Sequence, residues 1–304
     1  MKIGINGTGL VGTASADKVT GHATQAKADG FGSYWIAEHP TGGFDALTVL
    51  TAVGTQVSDI ELGTAIVPTM LRHPMVLAGQ AITTNNIVGG RLTLGIGLSH
   101  AVMMADLGIS FDKPIRHLRE FLSILMPLIE EGSVEYEGET LSAKAKTFQA
   151  PPQHRVRVLV AALGPQALKV TGRLADGTIL AWVGPKTIKE HIAPTISEAA
   201  SAAGRAQPSI VASLPTCVTD DPESVRAKIS KGLSMYGQLP SYRAMFDREG
   251  VDGPGDVAFV GSAQQVEDSI NLMREAGVTD FSPTEFFTNS DEASATRELL
   301  KGLT

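Results

Sequence analysis

Eight short β-branched runs alternate with longer segments of helical period, and this alternation most restricts the folds open to the chain. Strict βα alternation implies parallel strands with the helices outside, and eight such units close into a barrel. The 304 residues amount to about 38 per unit. We therefore predict an α/β protein, a (β/α)8 TIM barrel, forming one domain over residues 1–304. The predicted strands are Ile3–Asn6, Tyr34–Ala37, Ile60–Val67, Leu92–Gly97, Arg157–Ala161, Gly177–Ala181, Ile210–Thr216 and Asp280–Glu285.

Two segments exceed what a minimal barrel needs. The first spans residues 132–154, after the helix that follows strand four, and the second spans residues 220–254, after strand seven. Both are polar and rich in turn-forming residues, and barrels carry lids at such positions. We also predict that Pro68 ends the third strand, since proline lacks the amide donor that a ladder needs.

Composition excludes several classes of function. Hydrophobic residues make up 43% of the chain and the net charge is −7, which argues against nonspecific nucleic-acid binding through clustered Lys and Arg. No apolar run approaches the length of a membrane span, and the N-terminus has no long apolar stretch of signal-peptide type. The single cysteine, Cys217, excludes an intrachain disulfide, and the seven histidines form no HxxxH or HExxH pair, so we expect no metal. We expect a cytoplasmic protein.

A glycine cluster follows the first strand, Gly7-Thr8-Gly9-Leu10-Val11-Gly12. This GxGxxG pattern could bind the pyrophosphate of a dinucleotide through backbone amides and a helix dipole. Glu38, after the second strand, stands where such proteins place the acid that binds the ribose. The alternative is a glycine-rich βα loop of a barrel, because a lone GxGxxG is a weak signal.

A second phosphate-binding candidate follows strand five, Ala161-Ala162-Leu163-Gly164-Pro165-Gln166. Gly164 leaves room for an anion, and Pro165 suits the first turn of a helix. A helix continuing to Leu174 would present its positive N-terminus to that anion. The alternative is an ordinary strand–turn–helix corner, and the residues alone do not choose between the two.

Several segments together resemble the luciferase-like flavin and deazaflavin oxidoreductases, and most of all their coenzyme F420-dependent branch, which includes methylenetetrahydromethanopterin reductase. The resemblance covers nearly the whole chain in the right order, and residues 89–97 are its most specific part. The matching segments are Gly30–His39, Gly63–Pro68 with Arg72–Pro74, Gly89–Gly97, Gly172–Gly177 and Glu275–Phe281.

The resemblance implies a deazaflavin ring at the C-terminal ends of the strands, in front of a non-prolyl cis peptide at Ala65–Ile66. It places the cofactor phosphate at Ala162–Gln166, so the first glycine cluster would only shape a nearby loop. Local cations such as Arg72, Lys169 or Arg173 would help to hold the anionic cofactor. The cofactor-binding residues it implies are His39, Ala65, Ile66, Gly97, Leu98, Ser99, Ala161, Ala162, Leu163, Gly164, Pro165 and Gln166.

Three residues are candidates for proton transfer. His39 ends strand two, where barrels cluster catalytic groups, and imidazole titrates near neutrality. Glu38 beside it could orient the imidazole, although adjacent strand residues point in opposite directions. His100, after strand four, occupies a position where some deazaflavin-dependent sugar dehydrogenases have a glutamate, which argues against a sugar phosphate. Trp182, after strand six, is interpreted as a core indole, with a pocket wall as the alternative.

The expected function is hydride transfer between the C5 atom of coenzyme F420 and a small organic substrate. Three alternatives stay open: an FMN-dependent luciferase-like monooxygenase, an NAD(P)-dependent dehydrogenase using Gly7–Gly12, and a barrel without cofactor or catalysis. A homodimer is expected from the resemblance alone, and no nucleic-acid or membrane partner is expected.

Overall fold

The computed structural model describes residues 1–12, 14–40, 42–147 and 153–304. Its strands are β1 (Lys2–Ile3), β2 (Ile5–Asn6), β3 (Ser33–Ile36), β4 (Glu61–Thr64), β5 (Val67–Pro68), β6 (Leu92–Gly97), β7 (Ser133–Tyr136), β8 (Ala143–Lys146), β9 (Arg157–Val160), β10 (Gly177–Ala181), β11 (Ser209–Ser213), β12 (Pro215–Val218), β13 (Phe259–Gly261), β14 (Asp280–Phe281) and β15 (Thr284–Glu285).

The helices in the same part of the chain are α1 (Thr8–Val11), α2 (Ala16–Ala28), α3 (Ala46–Gln56), α4 (Pro74–Ile87), α5 (Ala101–Asp106), α6 (Pro114–Glu130), α7 (Pro165–Leu174), α8 (Pro185–Thr187), α9 (Ala193–Ala202), α10 (Pro222–Gly232), α11 (Ser234–Gln238), α12 (Pro240–Glu249), α13 (Pro254–Val257), α14 (Ala263–Glu275) and α15 (Ser290–Gly302). A 3₁₀ turn over Thr69–Leu71 and a π-helical turn over Ile188–Ile192 complete the list.

Parallel pairing closes the main sheet into a barrel, which confirms the predicted fold. The order is β1, β14, β11, β10, β9, β6, β4, β3, β2. Only Gly4 separates β1 from β2. Because β1 pairs with β14 and β2 pairs with β3, these two short strands join the first and last strands of the sheet order and so close the barrel. A Cβ atom on Gly4 would lie 2.1 Å from Ser33 Oγ, so the closure requires glycine there.

The third barrel strand differs from its prediction. The predicted run Ile60–Val67 is divided into β4 and β5, and the peptide bond between Ala65 and Ile66 is cis, as the resemblance implied. Pro68 is the last residue of β5, opposite Gly97, so the strand ends at this proline as predicted. A proline at a strand end loses only its amide donor and keeps its carbonyl acceptor.

The two extra segments fold differently. In the first, β7 and β8 form an antiparallel hairpin. The second contains helices α10 to α13, and it leads into β13, a strand that the sequence analysis missed. β13 pairs in parallel with β12, which continues the line of β11 above the barrel. At three residues, β13 is too short to show a strand periodicity.

The barrel interior is layered. At the N-terminal end Glu61 accepts hydrogen bonds from Lys2, from Thr93 Oγ1 at 2.6 Å and from Arg157 at 3.1 Å. Asp280 is also buried there, and burial raises the pKa of its carboxyl to about 6. Above this polar layer Trp35, Leu159, Ile179 and Val211 form an apolar plug. The plug separates the polar base from the C-terminal end, where the site lies.

Candidate active site

A cavity of about 1540 Å³ opens at the C-terminal ends of the barrel strands. Side chains from the segments after successive strands line it, among them His39 after β3, His100 after β6, Leu163 after β9 and Trp182 after β10. In barrels of this type the chemistry takes place at this end, because the loops there converge on one space. The cavity is therefore the candidate active site.

The cavity brings together nearly all of the residues that the sequence analysis proposed. One of them, Ala162, does not line it, because Ala162 is fully buried in the core between strands and helices. The proposed residues that do line it are Glu38, His39, Ala65, Ile66, Gly97, Leu98, Ser99, His100, Ala161, Leu163, Gly164, Pro165 and Gln166.

Small side chains form the floor of the cavity. Ala65, Ile66 and Ala161 pack against the apolar plug of the barrel. A Cβ atom on Gly97 would lie 3.1 Å from both the Cβ of Ala161 and the Cδ1 of Ile66, tighter than ordinary van der Waals contact. A larger side chain at residue 97 would therefore project into the cavity or displace the floor. The absence of a Cβ there leaves a shallow surface that fits a flat ring.

The N-terminus of α7 meets the same cavity. Gly164 is its N-cap residue and supplies no side-chain cap, and Pro165 is its first residue. Gln166 and Ala167 follow within the lining, where helix amides have no intrahelical acceptor. His191 Nε2 lies 2.8 Å from the carbonyl oxygen of Leu163, which positions the preceding turn. This ten-residue helix fits an anionic group such as a phosphate.

The glycine cluster Gly7–Gly12 lacks the structural context of a dinucleotide site. It forms α1, a helix of four residues, in a barrel rather than in a doubly wound sheet. A Cβ on Gly7 would lie 2.1 Å from the hydroxyl oxygen of Tyr34, so Gly7 serves close packing. Thr8 Oγ1 accepts a hydrogen bond from the amide of Ala37 at 3.0 Å. The segment thus shapes one wall of the cavity.

Glu38 is held by an ion pair. Arg72 donates to its Oε1 at 2.6 Å and to its Oε2 at 3.0 Å, and Arg72 also contacts Asp45 Oδ2 at 2.5 Å. The amide of Ala46 donates to Glu38 at 3.4 Å. Arg72 is therefore engaged by two carboxylates and is not among the lining residues, which corrects the expectation that it would help to hold the anionic cofactor. The ion pair instead joins the end of β3 to the start of α3.

His39 and His100 approach each other across the cavity. His100 is half-buried, and burial, with a further contribution from the charge of His39, lowers the pKa of its imidazole below the ordinary value of 6.5. Its ring centroid lies 5.6 Å from that of Tyr242 and 6.1 Å from that of Tyr236. A charge on His39 therefore disfavours a proton on His100.

The sequence analysis missed part of the aromatic wall. Tyr236 on α11 and Tyr242 on α12 line the cavity, and Trp182, interpreted there as a core indole, lies between them and the barrel. The Trp182 and Tyr236 ring centroids are 4.1 Å apart. The one available signal was that two of only four tyrosines fall in the second extra segment.

The remaining candidates, the single cysteine and a possible metal site, give no further functional site in the described ranges. Cys217 is buried in a small cluster beside β13, and burial followed by the Glu292 charge raises the pKa of its thiol to about 11, as expected of a core residue. Within the described ranges, no group of three or more His, Cys, Asp or Glu side chains is placed to hold a metal ion. Nor is any helix in those ranges long and apolar enough to cross a membrane.

Fold and cavity together define a (β/α)8 barrel with a ligand cavity at the C-terminal ends of its strands. The family model described as luciferase-like monooxygenase matches residues 2–280, and the chain belongs to this family. The chain is accordingly an oxidoreductase by family.

Curated relatives agree with this assignment, and a solved structure agrees with the fold. The 5,10-methylenetetrahydromethanopterin reductase of Methanopyrus kandleri is 27% identical over 300 residues, covering 84% of each chain. The F420-dependent glucose-6-phosphate dehydrogenase of Kineococcus radiotolerans is 32% identical over 202 residues, covering 62% of this chain and 60% of that protein. The structure of the coenzyme F420-dependent tetrahydromethanopterin reductase from Methanopyrus kandleri superposes with a TM-score of 0.82 at 23% identity, covering 99% of this chain and 97% of that chain.

Proposed function

We propose that this protein transfers a hydride between coenzyme F420 and a small organic substrate. The observation that carries the proposal is the cavity itself, whose flat floor and open helix N-terminus fit the ring and the phosphate of one molecule. The F420-dependent relatives support deazaflavin as that molecule, since their similarity extends along most of the chain.

Two regions of the cavity would bind the two parts of the cofactor. The floor of Ala65, Ile66, Gly97 and Ala161 would support the flat ring, and the amides at the start of α7 would hold the phosphate. When bound, the deazaflavin supplies the carbon that accepts or gives up a hydride. The protein then contributes binding, orientation and proton transfer, as is general for cofactor enzymes.

The two histidines would move the proton that accompanies the hydride. Oxidation of an alcohol removes a hydride from carbon, with two electrons, and a proton from the hydroxyl oxygen. A neutral imidazole accepts that proton, and in the reverse direction an imidazolium returns it. The lowered pKa of His100 keeps its ring neutral near pH 7, which suits a base. Glu38 would act on this site only by holding the chain before His39, since Arg72 binds its carboxylate.

The cofactor proposal predicts selective loss of binding on substitution of Gly97. We expect Gly97→Val to weaken F420 binding at least tenfold, because the new side chain would rise from a floor where a Cβ alone meets Ala161 and Ile66 at 3.1 Å. Gly21→Val is the matched control, since a Cβ there meets no atom within 4 Å and Gly21 lies outside the cavity lining. Gly9→Ala tests the dinucleotide interpretation separately, because Gly9 lines the cavity. Fluorescence titration of the purified protein with F420, FMN and NADPH measures these effects.

The titration distinguishes the F420 proposal from each of the three alternative functions. Tight binding of FMN without F420 would identify a luciferase-like monooxygenase instead, and loss of NADPH binding in Gly9→Ala would restore the dinucleotide interpretation of the glycine cluster. A folded protein that binds none of the three would be a barrel without cofactor. Circular dichroism and thermal unfolding of all three variants separate lost binding from lost folding.

We also propose that the chain forms a homodimer through α3 and α4. These helices pack together and carry no charged side chain over 25 residues, in a chain that is 19% charged. Val76 and Ile87 on α4 are 54% and 50% exposed, on the same face. A self-complementary contact across a two-fold axis would cover this face.

The dimer predicts a specific response to one added charge. We expect light scattering after size exclusion to report twice the 31.9 kDa chain mass for the native protein and the monomer mass for Ile87→Glu. Leu272→Glu on α14 is the control, because Leu272 is equally exposed, at 50%, on a distant helix. A monomeric native protein, or a dimer that Ile87→Glu leaves intact, would contradict the proposal.

A further inference from the structure

We propose that the substrate is an uncharged, apolar alcohol or ketone that lies against the aromatic wall of Trp182, Tyr236 and Tyr242, and that it carries no phosphate. This inference rests on the proposed function and specifies the substrate class of the same cavity. The oxidation balances with one hydride and its two electrons passing to F420 and one proton passing to the histidine pair.

The aromatic wall forms one continuous surface. Ring centroids are 4.1 Å apart for Trp182 and Tyr236, 5.1 Å for Trp182 and Tyr242, and 5.9 Å for the two tyrosines. These separations are typical of interacting aromatic pairs. His100 adjoins the wall through both tyrosines. A ligand that contacts the wall therefore also lies beside the group that would move the proton.

The backbone conformation of Trp182 places its indole at the cavity wall. Trp182 has a φ of +55°, in the left-handed region that bulky side chains rarely adopt. Its amide donates to the carbonyl oxygen of Ser213 at 3.2 Å, across to the neighbouring strand. Such conformations concentrate at ligand sites, where the surrounding structure imposes them. The indole is therefore held at the cavity wall rather than within the core.

The wall is also neutral. Burial raises the pKa of Tyr236, and burial together with the neighbouring Tyr236 raises the pKa of Tyr242, so both phenols stay protonated at physiological pH. The one carboxylate in the described lining, Glu38, is paired with Arg72. Aliphatic and aromatic side chains complete this end of the cavity, namely Val102, Phe111, Ile115, Leu233, Leu239 and Phe286. The surface offered to a substrate is predominantly apolar.

No cation is available for an anionic substrate. The described lining of the cavity contains no lysine or arginine, and the seven residues outside the described ranges include none in sequence. Three of the basic residues next to the lining in sequence form ion pairs: Lys113 and Arg116 bind Glu139, and Arg243 binds Asp247. Lys231, beside Gly232, is exposed and is not among the lining residues.

An anionic substrate would thus meet an unfavourable site. A phosphate in an apolar cavity loses its hydration, and charged side chains or helix amides must replace it. The N-terminus of α7 would already bind the cofactor phosphate. A neutral, apolar molecule has no such requirement, and it gains from burial against aromatic rings.

Binding experiments on the full chain test the inference. We expect calorimetry to detect binding of 1-indanone, a flat neutral ketone, with and without F420, and no binding of glucose 6-phosphate. Tyr236→Ala should weaken 1-indanone binding about tenfold through loss of an aromatic contact, whereas Tyr236→Phe should retain it. The control is Met235→Ala, which removes a neighbouring side chain that is 43% exposed and outside the cavity lining.

The outcomes separate this inference from the proposed function. Saturable binding of glucose 6-phosphate, or 1-indanone binding that Tyr236→Ala leaves unchanged, would overturn the substrate class even if F420 binds. Failure of F420 to bind, with 1-indanone still bound at the wall, would overturn the cofactor proposal and leave the apolar site supported. Absence of 1-indanone binding to a folded protein would also reject the inference.

Discussion

Replacing either cavity histidine with asparagine is expected to lower kcat by about 10² to 10⁴, the usual contribution of a positioned acid or base. The charge of His39 acts on the protonation of His100, and we expect the two side chains to serve one proton as a unit. Groups that act as a unit show strongly non-additive losses. The double variant should therefore be no more than about threefold slower than the slower single variant. Independent losses that multiply would contradict a shared proton.

The same pair predicts a pH dependence. The pKa of His100 is lowered by burial and by the His39 charge, so alcohol oxidation, which needs a neutral base, should lose activity only below the ordinary histidine pKa of 6.5. His39→Asn removes the second cause and should raise the pKa of His100 towards that value, while burial still holds it down. Titration of the imidazole resonances by NMR measures this shift without any substrate. An unchanged pKa of His100 in His39→Asn would refute the coupling.

Replacing Glu120 on α6 with alanine is expected to reduce the free energy of unfolding by about 3 kcal/mol, since it leaves four partly buried donors without their common acceptor. Its carboxylate is 1% exposed and accepts from the amides of Glu139, Thr140 and Leu141 at 3.1, 2.7 and 2.9 Å. The hydroxyl of Thr140 donates to it at 2.6 Å. These bonds fasten the β7–β8 hairpin to the barrel. Denaturant unfolding measures the loss.

A neighbouring glutamate provides the control. Glu139 forms exposed ion pairs with Lys113 and Arg116, and such pairs contribute at most about 1 kcal/mol. Glu139→Ala keeps the amide that donates to Glu120, so it should cost no more than that amount. Equal losses in the two variants would show that the hairpin depends on surface charge rather than on the buried carboxylate.

The pH dependence of stability identifies the same carboxylate. Burial alone would raise the pKa of Glu120, but the hydrogen bonds from Thr140 and the neighbouring amides outweigh it and lower the pKa to about 2. A carboxyl with a folded-state pKa below its ordinary value of 4.5 stabilises fully above that value, and loses the contribution as the pH falls to about 2. The stability difference between the native protein and Glu120→Gln should therefore shrink across this interval. A difference independent of pH would exclude the ionised form as the acceptor.

Local pattern accounts for most of the barrel. Alternating strand and helix periods depend on neighbours within a few residues, so each of the eight predicted strands has a counterpart in the main sheet. Four of them correspond to the single strands β3, β6, β9 and β10 with small shifts of their ends, and the first, third, seventh and eighth are each divided in two. The third was interrupted at Ala65–Ile66, a break that the family resemblance indicated and periodicity did not. β13 escaped prediction because three residues show no period.

The sequence by itself therefore determined the barrel, the end at which its ligand cavity opens, and the loop segments that supply the lining. Only the tertiary structure decided which side chains meet there. It paired Arg72 with Glu38, 34 positions away, and so removed Arg72 from the cofactor site. It also assembled the aromatic wall from Trp182 and two tyrosines on separate helices. Periodicity reflects contacts between near neighbours in the chain, whereas these pairings depend on how distant segments pack, which no local pattern encodes.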